Sequence, residues 1–369
     1  MGMTIAVLGD VHVTTAGAVP AAFASVVRAV AALRPRCVVL GGDATSGNPG
    51  DGYSLPQVRM WWHAYQEALA PLRAAGTPVL VIAGNHDYYT KAHVDGYREA
   101  WADLRTWAAP LSLAGAPPLS YSCNIDGFHL SLAHVIDQEI GDDVTRWLAA
   151  DLASAAAAKA RICIGHVPLI SAMGQTSTYF RDHLGGLLAA GRATLYLSGH
   201  EHLVWDEQVD VPGGKVRQVI VGTPGASYTY PLRRDLVARH CSGARGTLPG
   251  SGVVFALDPA TGYQTQQVAF VLLECGDDGA VRVRPMALDK DGSAMDFDEG
   301  VVTRWLQGAL GRLLGTSVPA TGSYDDATRR AVLALQQREG LAADGIAGPL
   351  TRQRVRALLG AAAPPAAIS

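Results

Sequence analysis

Thr4-Ile5-Ala6-Val7-Leu8-Gly9-Asp10-Val11-His12 is an apolar run that stops at a glycine and then presents a carboxylate and an imidazole. The run is short, uncharged and rich in branched residues, so it predicts a buried strand, and the glycine lets the backbone turn sharply where the strand ends. The same grammar recurs four times: Cys37–Leu40 leads to Gly42-Asp43, Pro78–Ala83 to Gly84-Asn85-His86-Asp87, Arg161–Gly165 to His166-Val167-Pro168, and Ala193–Leu197 to Gly199-His200-Glu201-His202. Helical periodicity fills the gaps, near Pro20–Leu33, Leu55–Leu72, Ala92–Trp107, Asp142–Ala158 and Tyr179–Ala190. Strand–helix alternation predicts an α/β core. Such sheets place ligands beyond the carboxyl ends of their strands, where all of these motifs fall. A hairpin over Ser120–Ile125 and Phe128–Ala133, turning at Asp126-Gly127, interrupts the alternation. From Leu203 to about Leu288 strands take over, among them Val216–Val221, Val253–Leu257 and Ala280–Arg284, and Cys241–Gly252 reads as an exposed Gly- and Ser-rich loop.

Composition sets the outer bounds. The chain has 369 residues, 49% hydrophobic and 17% charged, which leaves room for two or three domains and excludes a disordered chain. A net charge of −3 offers no basic excess to hold a polyanion, so no nucleic-acid polymer is expected as a partner. Cys37, Cys123, Cys163, Cys241 and Cys275 are scattered, which argues against a disulfide framework and fits a reducing compartment. Met1-Gly2-Met3 before Thr4–Leu8 has no basic leader, and the run is too short for an export signal. Trp107–Ile125 and Ile162–Phe180 lack charge, but the first holds Pro110, Pro117 and Pro118 and the second His166, Pro168 and several polar groups, so no membrane span is expected. The default location is therefore the cytoplasm.

The motifs supply seven donors: Asp10, His12, Asp43, Asn85, His166, His200 and His202. Imidazole nitrogens with hard oxygens suit divalent Mn, Fe or Zn, and the absence of cysteine argues against a structural zinc site. Seven donors are too many for one ion and fit two ions about 3.5–4 Å apart. Two cations so close need a bridging carboxylate, and Asp43 stands alone in its motif. Singly, each motif is weak: Gly-Asp is ordinary turn chemistry and Asp-x-His a common cap or surface pair, while Gly-Asn-His-Asp and Gly-His-x-His are suggestive without deciding. It is the ordered set, which takes five of the eleven histidines, that points to a site. His63, His93, His129, His134, His183 and His240 have no such setting and read as surface or satisfied core residues.

The ordered set resembles the calcineurin-like metallophosphoesterase superfamily, whose pattern is Asp-x-His, Gly-Asp, Gly-Asn-His-(Asp/Glu), His and Gly-His-x-His; the likeness spans roughly residues 3–288. It implies a four-layer αββα sandwich and a dinuclear metal-dependent phosphoester hydrolase. One metal would take Asp10, His12 and His202, the other Asn85, His166 and His200, with Asp43 between them. His86 would bind phosphate or protonate the leaving group, oriented by Asp87. A water shared by the cations would lose its proton near neutral pH and attack phosphorus. The motif set matches the cyclic-nucleotide phosphodiesterase branch closely, so diesters are expected ahead of monoesters. Tyr88 and Tyr89, just after the histidine, and Thr223 in Gly222-Thr223-Pro224-Gly225 are candidate substrate contacts. Tyr53, Trp61 and Trp62 lie near the same loops, but tryptophans on an amphipathic helix usually pack into the core.

After a polar, acidic linker the chain repeats itself: Thr321-Gly322-Ser323-Tyr324-Asp325-Asp326-Ala327-Thr328-Arg329 parallels Asp344-Gly345-Ile346-Ala347-Gly348-Pro349-Leu350-Thr351-Arg352. Each copy is a turn leading into an amphipathic helix, and the stretch resembles the small three-helix peptidoglycan-binding domain, with Leu306, Leu310, Leu313, Val332, Leu335 and Leu358 as its core. The expected organisation is a catalytic domain over 1–290, a linker over 291–300, a helical domain over 301–360 and a loose tail over 361–369. A wall-binding module conflicts with a cytoplasmic location, and unconventional export, another ligand such as a protein, or the sensing of wall fragments inside the cell would reconcile them. Two other readings of the whole stay open: a scaffold that keeps the fold without turnover, and a wall-associated enzyme acting on a phosphodiester polymer.

Overall fold

A computed structural model describes residues 2–171, 177–222, 241–242, 247–249, 256–258, 263–265, 269–288, 292–296, 299–322, 324–345, 347 and 349–360. The chain divides into two compact units, 1–252 with 268–286, and 253–267 with 287–369.

The first unit is built on two sheets. In one, β1 (Met3–Leu8), β2 (Cys37–Leu40) and β3 (Val79–Val81) run parallel, with Ile5 opposite Cys37 and Val38 opposite Val79. β15 (Phe270–Cys275) pairs antiparallel with β1, and β16 (Val281–Leu288) antiparallel with β15, giving the order β16-β15-β1-β2-β3. The other sheet takes β4 (Ala114–Ala116), β5 (Ser120–Ile125), β6 (Phe128–Leu132), β7 (Ala160–Ile164), β8 (Leu195–Ser198), β9 (Leu203–Val211), β10 (Gly214–Val221), β11 (Cys241–Ser242) and β12 (Thr247–Pro249). Its order is β11-β9-β10-β8-β7-β6-β5-β4, with β12 also on β9. β6, β7, β8 and β10 are parallel; β7 and β8 are mostly apolar, as cover on both faces requires, whereas β6 and β10 alternate apolar with polar residues. The Tyr121 hydroxyl on β5 ties the sheets together, donating to the Val81 carbonyl at 2.7 Å and accepting from the Val81 amide at 2.8 Å.

Helices α1 (Ala21–Leu33), α2 (Leu55–Ala68), α3 (Ala70–Ala74), α4 (Lys91–Ala100) and α5 (Leu104–Trp107) belong with the first sheet's connections. Trp62 packs edge-on against Tyr65, Tyr97 and Trp101, and Trp61 and Trp62 are buried, as expected of helix core residues. α6 (Asp142–Ser154) and α7 (Thr178–Ala190) lay Leu148, Leu152, Phe180, Leu184 and Leu188 onto Cys163, Tyr196, Val209 and Val216 of the second sheet. The result is a four-layer α/β sandwich.

Three details differ from the sequence reading. Leu55–Leu72 is two helices, because Pro71 has no amide to donate and the chain breaks at Leu69. Ala92–Trp107 is also interrupted, α4 ending at Ala100 and α5 starting at Leu104. Part of Cys241–Gly252 is not loop, since β11 and β12 pair with β9; residues 243–246 and 250–252 lie outside the described residues. Of the strand expected over Val253–Leu257, Ala256 and Leu257 lie in β13 (Ala256–Asp258), paired with β14 (Tyr263–Thr265), and residues 253–255 lie outside the described residues. Cys37, Cys123, Cys163 and Cys275 are buried free thiols. No helix among the described residues is long and apolar enough to cross a membrane.

The second unit holds the β13–β14 hairpin and helices α8 (Glu299–Leu314), α9 (Asp326–Arg338) and α10 (Pro349–Leu358). Its core joins Trp305, Leu306, Ala309, Leu310, Ala331, Val332, Leu335 and Val355, with Leu313 and Leu358 half-buried. The sequence repeat reappears as a repeated clamp. Buried Gln307 accepts from the Gly322 amide and donates to Thr328 Oγ1 at 2.8 Å; buried Gln336 accepts from the Gly345 amide and donates to Thr351 Oγ1 at 3.0 Å. Each glutamine thus fixes a left-handed glycine turn (φ 78° and 70°) and the helix that follows it.

Candidate metal centre

Each motif follows a strand end, and in three of the five the backbone is strained in a consistent way. Asp10, His12, Asp43 and His200 sit in the left-handed region at φ 56°, 51°, 50° and 70°. Non-glycine residues avoid it unless the surroundings over-determine the turn, and such strain clusters at functional sites. Here the loops fasten one another: the Asp10 amide donates to the Gly42 carbonyl and the His12 amide to the Asp43 carbonyl, each at 3.0 Å. Gly84 is required by close approach, since a Cβ there would collide with the Asp43 carboxylate.

All seven predicted donors converge. Asp10, His12 and His202 form one group: His12 Nε2 faces His202 Nε2 at 3.1 Å, and Asp10 Oδ1 lies 3.8 Å from His202 Nε2. Asp43, His166 and His200 form another, joined by Asn85. Asp43 Oδ2 is 3.2 Å from His166 Nε2, and Asn85 Oδ1 is 2.8 Å from His200 Nδ1 and 3.1 Å from His166 Nε2. Asp43 Oδ2 also stands 3.9 Å from His12 Nε2 and 4.0 Å from His86 Nε2, so it lies between the groups. The Gly41 carbonyl, 2.8 Å from His166 Nδ1, can only accept, which turns Nε2 toward the cluster.

The electrostatics fit a cation. Burial, with neighbouring imidazoles adding to it against the attraction of Asp43, pushes His12, His200 and His202 down to about 4, so all three are neutral with lone pairs to offer. Burial would lower His166 too, but the charge of Asp43 and the hydrogen bond to it outweigh that and raise it to about 9. Burial would raise Asp43, but His166 above all, then His12 and His86, hold it far below the usual carboxylate range. Burial drives Asp10 well above that range. Asp10 Oδ1 accepts from the His200 amide at 2.9 Å, whereas Oδ2 is buried without a hydrogen-bond partner. A buried, orphaned carboxylate oxygen beside two facing neutral imidazoles is the donor chemistry of a divalent-metal site.

The other predicted residues fall less uniformly. His86 Nε2 faces Asp43 and its ring meets His12 edge-on at 4.8 Å. The hydrogen bonds of the Asp87 carboxylate run to the backbone and Thr45, and not to the His86 ring. Asp87 is fully buried and accepts from the amides of Ala44, Thr45 and Gly84 and the Thr45 hydroxyl, at 2.9–3.2 Å, so it stitches two loops together. Burial and the charge of Asp43 raise it to about 6. His86 Nδ1 instead faces the Gly47 carbonyl. Tyr89 is 38% exposed, edge-on to His86 at 5.3 Å and within 2.5 Å of Asn85 Nδ2, which puts it at the mouth. Tyr88 turns away onto His134 and Tyr97. Thr223 lies outside the described residues. The sequence reading missed Gly41, Thr45 and Gly47. The first and third act through carbonyls, which carry no side-chain signal; Thr45, two residues past Asp43, is the one a closer reading of the loop could have found.

Residues 3–204 match the family model of the calcineurin-like phosphoesterases, and residues 300–355 that of a peptidoglycan binding domain. No curated protein matches the chain in sequence at a significant level. Among solved structures, the chain is similar to GAP50, the anchor in the inner membrane complex of Plasmodium, with a TM-score of 0.51 at 14% identity over 80% of this chain and 88% of that one. It is also similar to the purple acid phosphatase PPD1 from yellow lupin (Lupinus luteus) seeds, with a TM-score of 0.52 at 15% identity over 80% of this chain and 53% of the lupin chain. Identities this low speak to the fold alone, while the family match spans more than half of the sequence. The chain belongs to the calcineurin-like phosphoesterase family.

Proposed function

We propose that the protein is a dinuclear metal-dependent phosphoester hydrolase, that it takes phosphodiesters ahead of monoesters, and that its C-terminal unit holds it to a wall polymer. The position of Asp43 Oδ2 between two donor groups carries the reading. Asp10, His12 and His202 would hold one ion, Asn85, His166 and His200 the other, and Asp43 would touch both. Two divalent ions (Mn, Fe or Zn), when bound, supply the positive charge that acidifies water and attracts a phosphoryl group. The chain supplies the rest. Asn85 adds an oxygen without a charge, which keeps the site attractive to an anion. His86, with Nε2 toward the cluster, would donate its proton to the departing alkoxide. Tyr89 would border the substrate at the mouth. The diester preference rests on the likeness of the motif set to the cyclic-nucleotide branch.

The test is a phosphoester panel on protein loaded with Mn, Fe or Zn: an aryl diester, an aryl monoester, cyclic nucleotides and glycerophosphodiesters. Turnover led by a diester is expected. Turnover led by monoesters would overturn the preference, and none at all on metal-loaded protein would favour the scaffold reading. For the second unit, the full chain should pellet with purified peptidoglycan; recovery in the supernatant contradicts the assignment.

A further inference from the structure

His86 is held from outside the donor cluster. Its Nδ1 lies 2.5 Å from the Gly47 carbonyl oxygen, an acceptor only, so Nδ1 carries the proton. Gly47 is wedged in place. A Cβ on it would come within 2.6 Å of Nε2 of His93 and collide with the His86 carbonyl oxygen. His93 is fully buried, its Nδ1 lies 2.7 Å from Thr90 Oγ1, and its Nε2 has no hydrogen-bond partner. Its ring stacks on Trp61 (centroids 5.9 Å, 24°), and Trp61 is fastened by its Nε1 donating to the Thr15 carbonyl at 3.0 Å and by Tyr53 edge-on at 4.8 Å. A buried imidazole that makes one side-chain bond and turns its other nitrogen toward a backbone wedge is there for its shape.

We infer that the Gly47 carbonyl fixes His86 as the Nδ1–H tautomer, and that His93, stacked on Trp61, is the positioning residue that holds Gly47 there. The inference rests on the reading of the site as a phosphoesterase. With Nδ1–H committed to Gly47, only Nε2 exchanges protons on the substrate side. It bears a lone pair when the ring is neutral and the transferable proton when the ring is cationic. A carbonyl sets this direction without adding a negative charge to a site that must attract an anion. The fold thus assigns to a backbone oxygen the task expected of Asp87.

Two-bond 1H–15N correlation on the full chain, labelled at histidine nitrogens and loaded with zinc, tests this, with His86 assigned from His86→Gln. Wild type should show a single Nδ1–H tautomer at His86. His93→Ala should mix the tautomers and lower kcat on an aryl diester about tenfold or more, with KM within about threefold and zinc content unchanged. His93→Phe, which keeps a ring on Trp61, should restore the wild-type tautomer and most of kcat. An Nε2–H tautomer in wild type, or an unchanged tautomer ratio in His93→Ala, overturns the inference. If His93→Ala does not fold, the wild-type spectrum decides the tautomer, and His93→Gln, which removes the ring but keeps a polar side chain, decides the positioning role by the same readouts. If the tautomers behave as stated but no phosphoester is turned over, the positioning role stands and the phosphoesterase reading falls.

Discussion

Asp43 is where the chemistry concentrates: one oxygen lies near donors of both groups, and the other accepts from the His86 amide at 2.9 Å. Asp43→Asn should therefore lower kcat on a preferred ester by on the order of 10³, the scale of losing a preorganised electrostatic contact. It should also reduce bound metal, as elemental analysis would show; wild-type turnover would contradict its place. Gly84→Ala asks a different question, because it pushes a methyl into that carboxylate without removing a donor. Overpacking of this kind costs about 1–3 kcal/mol, so a lowered melting temperature with weaker metal retention is expected. The donors themselves were legible because polar side chains directly after an apolar run and a glycine have few other reasons to be there. Asp87 was not legible. Its partners are amides of Ala44, Thr45 and Gly84, and nothing in the string distinguishes a carboxylate that binds backbone from one that binds an imidazole.

Among the elements, β1, β2, β3, β7 and β8 were the readable part, since burial on both faces makes each a mostly apolar run. β11 and β12 escaped notice because short edge strands have no such face to bury. The junction of α6 with β5 and β6 was equally silent, yet it holds the clearest buried polar network outside the site. Asp151 on α6 accepts from Ser122 Oγ and Ser131 Oγ at 2.6 Å each and faces His129 Nε2 at 2.8 Å. Burial would raise Asp151, but these hydrogen bonds and the charge of His129 outweigh it and hold the carboxyl below its ordinary 3.8. The native state therefore favours the ionised form. The stabilisation is present above the ordinary value and is lost as pH falls through the lowered one. Asp151→Asn should cost roughly 2 kcal/mol at neutral pH, with the gap to wild type closing below about pH 4. Denaturant unfolding at several pH values measures this, and a gap that widens in acid would refute the network's role.

The protein as a unit pairs a phosphoesterase-family sandwich with a small helical body, and both were visible in sequence for the same reason: each repeats a local rule. The sandwich repeats strand–glycine–donor, and the helical body repeats a glycine turn clamped by a buried glutamine. The glutamines themselves gave no sign, because Gln307 and Gln336 look like surface helix residues until their partners across the turn are known. Gln336→Ala should destabilise the second unit by about 1–3 kcal/mol through orphaned partners, leave ester hydrolysis intact and weaken retention on peptidoglycan. Equal retention would separate the clamp from polymer binding. Residues 300–360 also carry eight arginines and no lysine against four carboxylates, within a chain of net charge −3. Retention on an anionic wall polymer should accordingly fall as salt is raised.

The cation pair itself can be read by electron paramagnetic resonance on manganese-loaded protein, with metal content measured on the same sample. Two ions per chain and an exchange-coupled multiline spectrum are predicted, the coupling lost in Asp43→Asn. One ion per chain with the six-line spectrum of isolated manganese would contradict the bridged arrangement.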